Sequence, residues 1–581
     1  MNSKTIQIRK AVMLKYLKCT CQIVASFTLA SAYCFTQAQS IAPDAGALLQ
    51  QMERGVQRTL PAPKAPVIPP PQELKSLNGV KVKVSGFKFS GNTLVSSEAL
   101  TKSVEQWIGK ENTFEDLQNA TIAVANAYRE KGWVVRSFLP EQDVSSGLIT
   151  IHVVEAVLGK ISIEKQGNVR ISNEVIQNYV NKEQPIGAHI SQLALDRSLL
   201  IVQDLGVASI DGNLAKGEND SETDLILSLA EKPMFEGLVS IDNYGSVSTG
   251  MLRENLSLRA RSPLGIGDLS SLSYVHTQGS NYLRGEESVP VGYSGWQVGA
   301  YASVFDFNNI DSNFSALQLT GHSVSLGLFE TYPILRSTDK NLFLRLTQDH
   351  KMIANQSLGT DTSNYKIDVA TATLTGNAYD SYLEGGVNNA SVSVFMGNVN
   401  LDGSPNQASD AAGPNVAGLY GKLLASISRL QQIDSSNGVY GSLSGQLASK
   451  NLDSSEQFYL GGPYAARAYP TAEGGVSQGY LLNLEYRHNF TPNVQLAAFY
   501  DYAQGTVNRN NDFAGAAIIN SYHLQGAGLA LTVNSFYGFS GSLTWSHRIG
   551  ENPLLTTSGT DPDGTYQLNR IWLSVSHPFS F

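Results

Sequence analysis

Past residue 34 the chain has no cysteine: Cys19, Cys21 and Cys34 are its only three. Nothing after the N-terminal region approaches the run of about 18 apolar residues that a membrane-spanning helix needs. There is no GxxxxGK[ST] phosphate loop, and the nine histidines show no H-E-x-x-H or other metal-ligand spacing. Positive charge is also short, with 41 Lys and Arg against 50 Asp and Glu and a net charge of −9. Nucleotide hydrolysis, zinc chemistry and nucleic-acid binding are therefore poor readings. Gly475-Val-Ser-Gln-Gly479 fits the G-x-S-x-G pattern of hydrolases. That motif needs a helix after it, and here a strand pattern follows. No enzyme and no cofactor is expected.

The first residues are an address. Lys4, Arg9, Lys10, Lys15 and Lys18 precede a moderately apolar run from Cys21 to Phe35, and Thr36-Gln37-Ala38 ends it with small residues. This pattern predicts a secretory signal peptide over residues 1–38, to be set aside from the fold. Tyr33 before Cys34 spoils a lipoprotein box. Cleavage after Ala38 leaves a chain with no thiol for a disulfide or a metal. It also takes the net charge from −9 to about −14, because those five cations leave with the signal.

What is abundant is alternation. Counting back from Phe581, one face of the last segment carries Phe579, His577, Val575, Leu573 and Ile571, and the other Ser580, Pro578, Ser576, Ser574 and Trp572. A period of two over about eleven residues suits a tilted strand crossing a bilayer. Val494, Leu496, Ala498, Tyr500 and Tyr502 likewise oppose Gln495, Ala497, Phe499, Asp501 and Ala503. Leu482, Leu484 and Tyr486 oppose Asn483, Glu485 and Arg487, and Leu529, Leu531 and Val533 oppose Ala530 and Thr532. A chain that spans a membrane without apolar helices must close a barrel. Residues 233–581, at about 20 per strand and turn, predict roughly 16 strands and an aqueous lumen. Asp501 falls on the lumen face, where water tolerates a carboxylate.

Upstream the texture differs. Residues 39–60 read as one short helix capped by Asp44, and the Pro-rich stretch 61–79 as an extended tether. Residues 80–157 read β-α-α-β-β: a strand over Lys81–Phe89, then two helices, the second striped by Phe114, Leu117, Val124 and Tyr128. Strands at Trp133–Leu139 and Gly147–Ala156 follow. Residues 158–232 repeat the order, with Ile161 and Ile163 in a strand, Val175, Ile176, Tyr179 and Val180 on a helix, and Leu225, Leu227 and Leu229 in the last strand. An internal repeat of about 75 residues is the most specific pattern in the chain.

Two such units ahead of a barrel resemble the POTRA-plus-barrel transporters of two-partner secretion, the ShlB/FhaC/HecB family of haemolysin secretion/activation proteins. Ala466-Arg467-Ala468-Tyr469 matches the family's Val-Arg-Gly-Tyr tip, with alanine at 466 and 468 in place of valine and glycine. Phe499-Tyr500-Asp501 matches its Phe-x-Asp motif, and Val239–Gly245 and Gly327–Leu335 look like its barrel-strand segments. The resemblance implies a mostly β protein with a 16-stranded transmembrane barrel, two periplasmic α/β POTRA domains and an N-terminal plug helix. It also implies a loop around residues 458–478 folded into the barrel, and a terminal Phe581 read by the barrel assembly machinery. Arg467 and Tyr469 would then lie at the loop tip, with Asp501 and Phe499 as barrel-wall partners. An arginine there could clamp Asp501 bidentately and position the loop.

The function so implied is an outer-membrane transporter. It would recognise an unfolded large exoprotein of haemolysin or adhesin type through its POTRA domains, by strand addition to their sheet edges, and pass it through the pore. Export would be driven by folding outside, with no nucleotide. Implied partners are that exoprotein, outer-membrane lipid, periplasmic chaperones and the assembly machinery; the transporter would be monomeric, and no nucleic acid is expected. The alternative from the same superfamily is an assembly factor that inserts other barrels.

Overall fold

The computed structural model describes residues 44–54, 81–219, 221–471, 473–556 and 559–581. The signal peptide expected over residues 1–38 and the Pro-rich tether expected over 61–79 lie outside them. Among the described residues no helix is long and apolar enough to cross a membrane.

The N-terminal helix α1 spans Ala45–Arg54, and Asp44 caps it by accepting from the Ala47 N–H at 3.1 Å. The first α/β unit holds β1 (Lys81–Lys83), β2 (Gly86–Ser90), α2 (Ser97–Val104), β3 (Glu111–Thr113), α3 (Phe114–Glu130), β4 (Val135–Phe138) and β5 (Leu148–Glu155). The strand expected over Lys81–Phe89 is broken in two. Val84 is buried and bonds to Lys110, Ser85 bonds to Gly147, and the chain passes there from a ribbon with β3 to a sheet with β5. Alternation alone cannot show such a change of partner.

Thr113 and Asp116 form a capping box on α3, and Gly132 at φ 81° ends its turn. Leu117, Val124 and Tyr128 are buried as the periodicity predicts, whereas Phe114 at the first turn stays exposed. Glu155 is buried yet satisfied, because the Thr93 and Leu94 N–H groups donate to it at 2.7 Å and the Tyr128 hydroxyl at 2.8 Å.

The second unit repeats the layout with β6 (Val157–Gln166), α4 (Asn173–Glu183), α5 (Gln192–Asp204), β7 (Ala208–Lys216) and β8 (Glu222–Glu231). Ile176, Tyr179 and Val180 of α4 pack on Leu225, Leu227 and Leu229 of β8. Backbone bonds from Val134 to Ile190 and from Ile190 to Ala156 staple the two units together. Their sheets run β2-β5-β4 and β6-β8-β7, so β2 and β7 each end a sheet.

A closed barrel of sixteen antiparallel strands follows. Its first eleven are β9 (Phe235–Asp242), β10 (Arg253–Arg261), β11 (Leu269–Thr277), β12 (Ser280–Val291), β13 (Trp296–Asn308), β14 (Thr320–Arg336), β15 (Lys340–Ser357), β16 (Thr360–Asp380), β17 (Gly386–Asn400), β18 (Gly418–Gln432) and β19 (Asn437–Ala448). A small ribbon of β20 (Phe458–Tyr459) and β21 (Gly475–Val476) sits inside. The barrel resumes with β22 (Gln478–Thr491), β23 (Val494–Thr506), β24 (Ser521–Phe536), β25 (Phe539–Arg548) and β26 (Asn569–Ser580).

The terminal strand closes the barrel against β9, and Phe581 exchanges backbone bonds with Phe235 while their rings stack 5.1 Å apart. Phe579 lies across Gly237, where a Cβ would fall 2.1 Å from the ring, so any larger residue there would have to displace the ring. Ile571, Leu573 and Val575 face outward, exposed as a lipid-facing row must be in the isolated chain.

Candidate functional site: two elements inside the barrel

The 29-residue connection between β19 and β22 turns inward rather than out, and Leu460, Ala466, Ala468 and Tyr469 on it are fully buried. Its tip carries Arg467. The Arg467 backbone N–H and Nε both donate to Asp501 Oδ2 at 3.0 and 2.9 Å, and Nη2 donates to Oδ1 at 2.7 Å. Nη1 reaches Glu485 at 2.8 Å, and the guanidinium stacks 3.5 Å from the Phe499 ring centre. The sequence places Asp501 in lumen water, but it is 0% exposed. Three bonds from Arg467 and one from Asn483 at 2.7 Å satisfy it instead. Burial alone would lower the Arg467 guanidinium's pKa; Asp501 and Glu485 outweigh it and raise it.

The Arg467 carbonyl is gripped as well. Ser546 on β25 donates to it at 2.6 Å and the Trp572 indole on β26 at 2.7 Å. Tyr469 is fully buried, accepts from the Gln525 N–H at 3.2 Å, and has the Arg548 guanidinium 4.6 Å from its ring centre. Neither Ala466 nor Ala468 has positive φ, so alanine is unstrained at both positions. The Ala468 methyl faces Gly526, where a Cβ would come within 2.6 Å of it. Arg467, Tyr469, Asp501 and Phe499 thus converge; Phe581 lies elsewhere, at the barrel seam.

Residues 549–556 and 559–568, between β25 and β26, cover the loop. Arg548 and Asp561 form an ion pair with both side chains 0% exposed, at 2.5 Å, and Arg570 reaches the same carboxylate at 3.2 Å. Asn552 donates to Asp561 and to Glu473 of the loop, each at 2.9 Å. The other Glu473 oxygen has no partner, and burial, followed by Asp561 and Asp563, pushes this acid up to about 8.

Helix α1 lies in the same lumen, bonded to the wall and to the base of the loop. Asn355 on β15 accepts from the Ala45 N–H at 2.8 Å and donates to Asp44 at 3.1 Å, while Ser454 donates to Asp44. Gln50 donates to the Gln457 carbonyl at 2.6 Å. Leu48, Leu49 and Met52 pack on wall residues including Phe305, Ile353 and Tyr365. Glu456 beside the helix is buried, which would raise its pKa, but Lys351 at 2.9 Å and Lys422 at 2.6 Å hold it at about 2. Ser477 of the G-x-S-x-G match is fully buried and donates to the Val507 carbonyl at 2.8 Å, so it is a turn residue.

Glu485, Ser546, Trp572 and the Arg548–Asp561 pair were not singled out from the sequence. Glu485 and Trp572 stand at inward positions of strands whose alternation was read correctly, but only barrel closure turns them toward the tip.

Residues 221–533 match the family model "Haemolysin secretion/activation protein ShlB/FhaC/HecB", and residues 82–156 the model "POTRA domain, ShlB-type". The heme/hemopexin transporter protein HuxB of Haemophilus influenzae is 25% identical over 468 residues, covering 78% of this chain and 81% of that protein. Among solved structures, CdiB from Escherichia coli superposes with a TM-score of 0.69 at 20% identity, over 93% of this chain and all of that one. BamA from Haemophilus ducreyi lacking POTRA domains 1–3 gives 0.52 at 15% identity, over 86% of this chain and all of that one. Both likenesses are of fold.

Proposed function

The chain belongs to the ShlB/FhaC/HecB family of haemolysin secretion/activation proteins, and from that premise we propose an outer-membrane transporter dedicated to one large secreted polypeptide. The barrel sits in the outer membrane with the two α/β units in the periplasm, both acting as POTRA domains. The polypeptide arrives unfolded, adds as a strand to a free sheet edge such as β2 or β7, and passes through the lumen. It folds outside, and that folding makes the passage one-way. The transporter works as a monomer, is delivered by periplasmic chaperones, and is inserted by assembly machinery that reads Phe581.

The observation that carries this reading is the lumen itself. It is blocked by two elements, α1 and the Arg467 loop, held by side-chain bonds rather than by strand pairing. A fixed porin has no use for an internal helix or for receptor-like units ahead of its barrel. HuxB is described as a heme/hemopexin transporter and CdiB as an outer-membrane transporter, which favours export over insertion of other barrels. The test is the secreted proteome of the native strain with the gene intact and deleted. Loss of one large protein outside, with other outer-membrane proteins unchanged, is expected. A broad fall in many barrel proteins would mean an assembly factor instead.

A further inference from the structure

The lower lumen holds a cavity that neither the loop nor α1 fills. It has a volume of about 330 Å³ and lies where α5 meets the barrel mouth. Tyr179, Ile201 and Leu205 of the second α/β unit form one side, and Thr331, Thr373 and Thr375 of the barrel the other. The two sides are fixed to each other. Asp204 at the end of α5 receives two 2.8 Å bonds from Arg336, and Arg197 donates to the Pro333 carbonyl at 2.9 Å. Tyr179 also meets Tyr293 edge-on at 5.3 Å.

One side is apolar and the other carries hydroxyls, and the hydroxyl side continues around the wall. Thr373 bonds to Ser393 at 2.9 Å and Thr375 to Ser391 at 3.1 Å, both across to β17. Asn389 and Ser428 continue the row at 3.4 Å toward β18. Arg345 stands among these groups, opposite both Thr331 and Thr373, while the wall beneath α1 carries Lys351 and Lys422 against Glu456 of the inward connection. Hydroxyls both donate and accept, so they can trade bonds with any peptide group that passes.

We propose that this cavity binds the transported polypeptide as an extended segment, one large apolar side chain against Tyr179, Ile201 and Leu205 and its backbone on the Thr373 and Thr375 hydroxyls. It is the transfer point between the second α/β unit and the lumen. A cavity of this volume, apolar with a few placed polar groups, has the character of a small-ligand site. The inference rests on the transporter reading given above.

The test uses the full chain in cells, with the polypeptide whose export is lost on gene deletion. A leucine-sized diazirine amino acid at Thr375 is expected to crosslink to that polypeptide during export. The same probe at Leu374, which faces lipid and is 44% exposed, is expected not to. Thr373→Trp fills the cavity and is expected to lower export tenfold or more, with the heat-dependent gel shift of the folded barrel retained. Normal export by a correctly folded Thr373→Trp, or no crosslink from Thr375, overturns the site and leaves the transporter reading standing. If Thr373→Trp does not fold, the Thr375 crosslink decides. If deletion of the gene removes no secreted protein, the reading itself has failed.

Discussion

Removing the Arg467 side chain strands Asp501 in a site with no water and leaves only the Arg467 N–H and Asn483 as donors. Breaking a buried pair in this way costs about 3–5 kcal/mol, a loss that falls on loop docking because the strands on either side keep their backbone ladder. Arg467→Ala is therefore expected to cut export tenfold or more while the barrel still shows its heat-dependent gel shift. Arg467→Lys keeps charge without the fork and should recover only part of the activity. Normal export by Arg467→Ala would remove the loop from the mechanism. Glu473 makes a second claim. Its docked pKa of about 8 lies above the 4.5 of an ordinary glutamate, so docking is firmest below about 4.5 and weakens as pH rises through about 8. Protease cleavage of residues 458–478 is expected to rise between pH 5 and 9 in the native protein and to stay flat in Glu473→Gln. Of this site, the arginine and its aspartate were legible because a tetrapeptide and a period of two pointed at them. Trp572 and Arg548–Asp561 were not, because their meeting with the loop depends on closure across β25 and β26.

At the scale of elements, the strands that alternate cleanly were readable, and sixteen strands stand where length and period predict them. Helix α1 was readable from Asp44 and its apolar stripe, but its place in the lumen is set by Asn355 and Gln457, more than 300 residues away. The break at Val84 was hidden for a related reason: both halves alternate, and only the change of partner separates them. The sheet edges carry the element-scale prediction. Strands β2 and β7 each have one unpaired side, and an unpaired side can accept a strand. Proline in both, at positions whose N–H points away from the sheet, is expected to lower export tenfold without unfolding either unit, as circular dichroism of the purified protein would verify. Undiminished export would exclude strand addition at these edges.

For the whole molecule, the account requires that the lumen be vacated before a polypeptide passes. Helix α1 is joined both to the wall and to the base of the loop, at Ser454 and Gln457, so its departure frees one face of the loop as well. The chain beyond residue 34 offers a clean way to hold it in place, because the last native cysteine is Cys34. A Cβ at position 46 would lie 3.1 Å from the Cβ of Ser455, close to the 3.5–4.5 Å of a disulfide. The decisive measurement is export by the Gly46→Cys, Ser455→Cys double variant under oxidising and then reducing conditions. Export should stop when the bond forms and resume when it is reduced, with each single variant unaffected. Export at the native rate with the helix locked would contradict passage through this lumen.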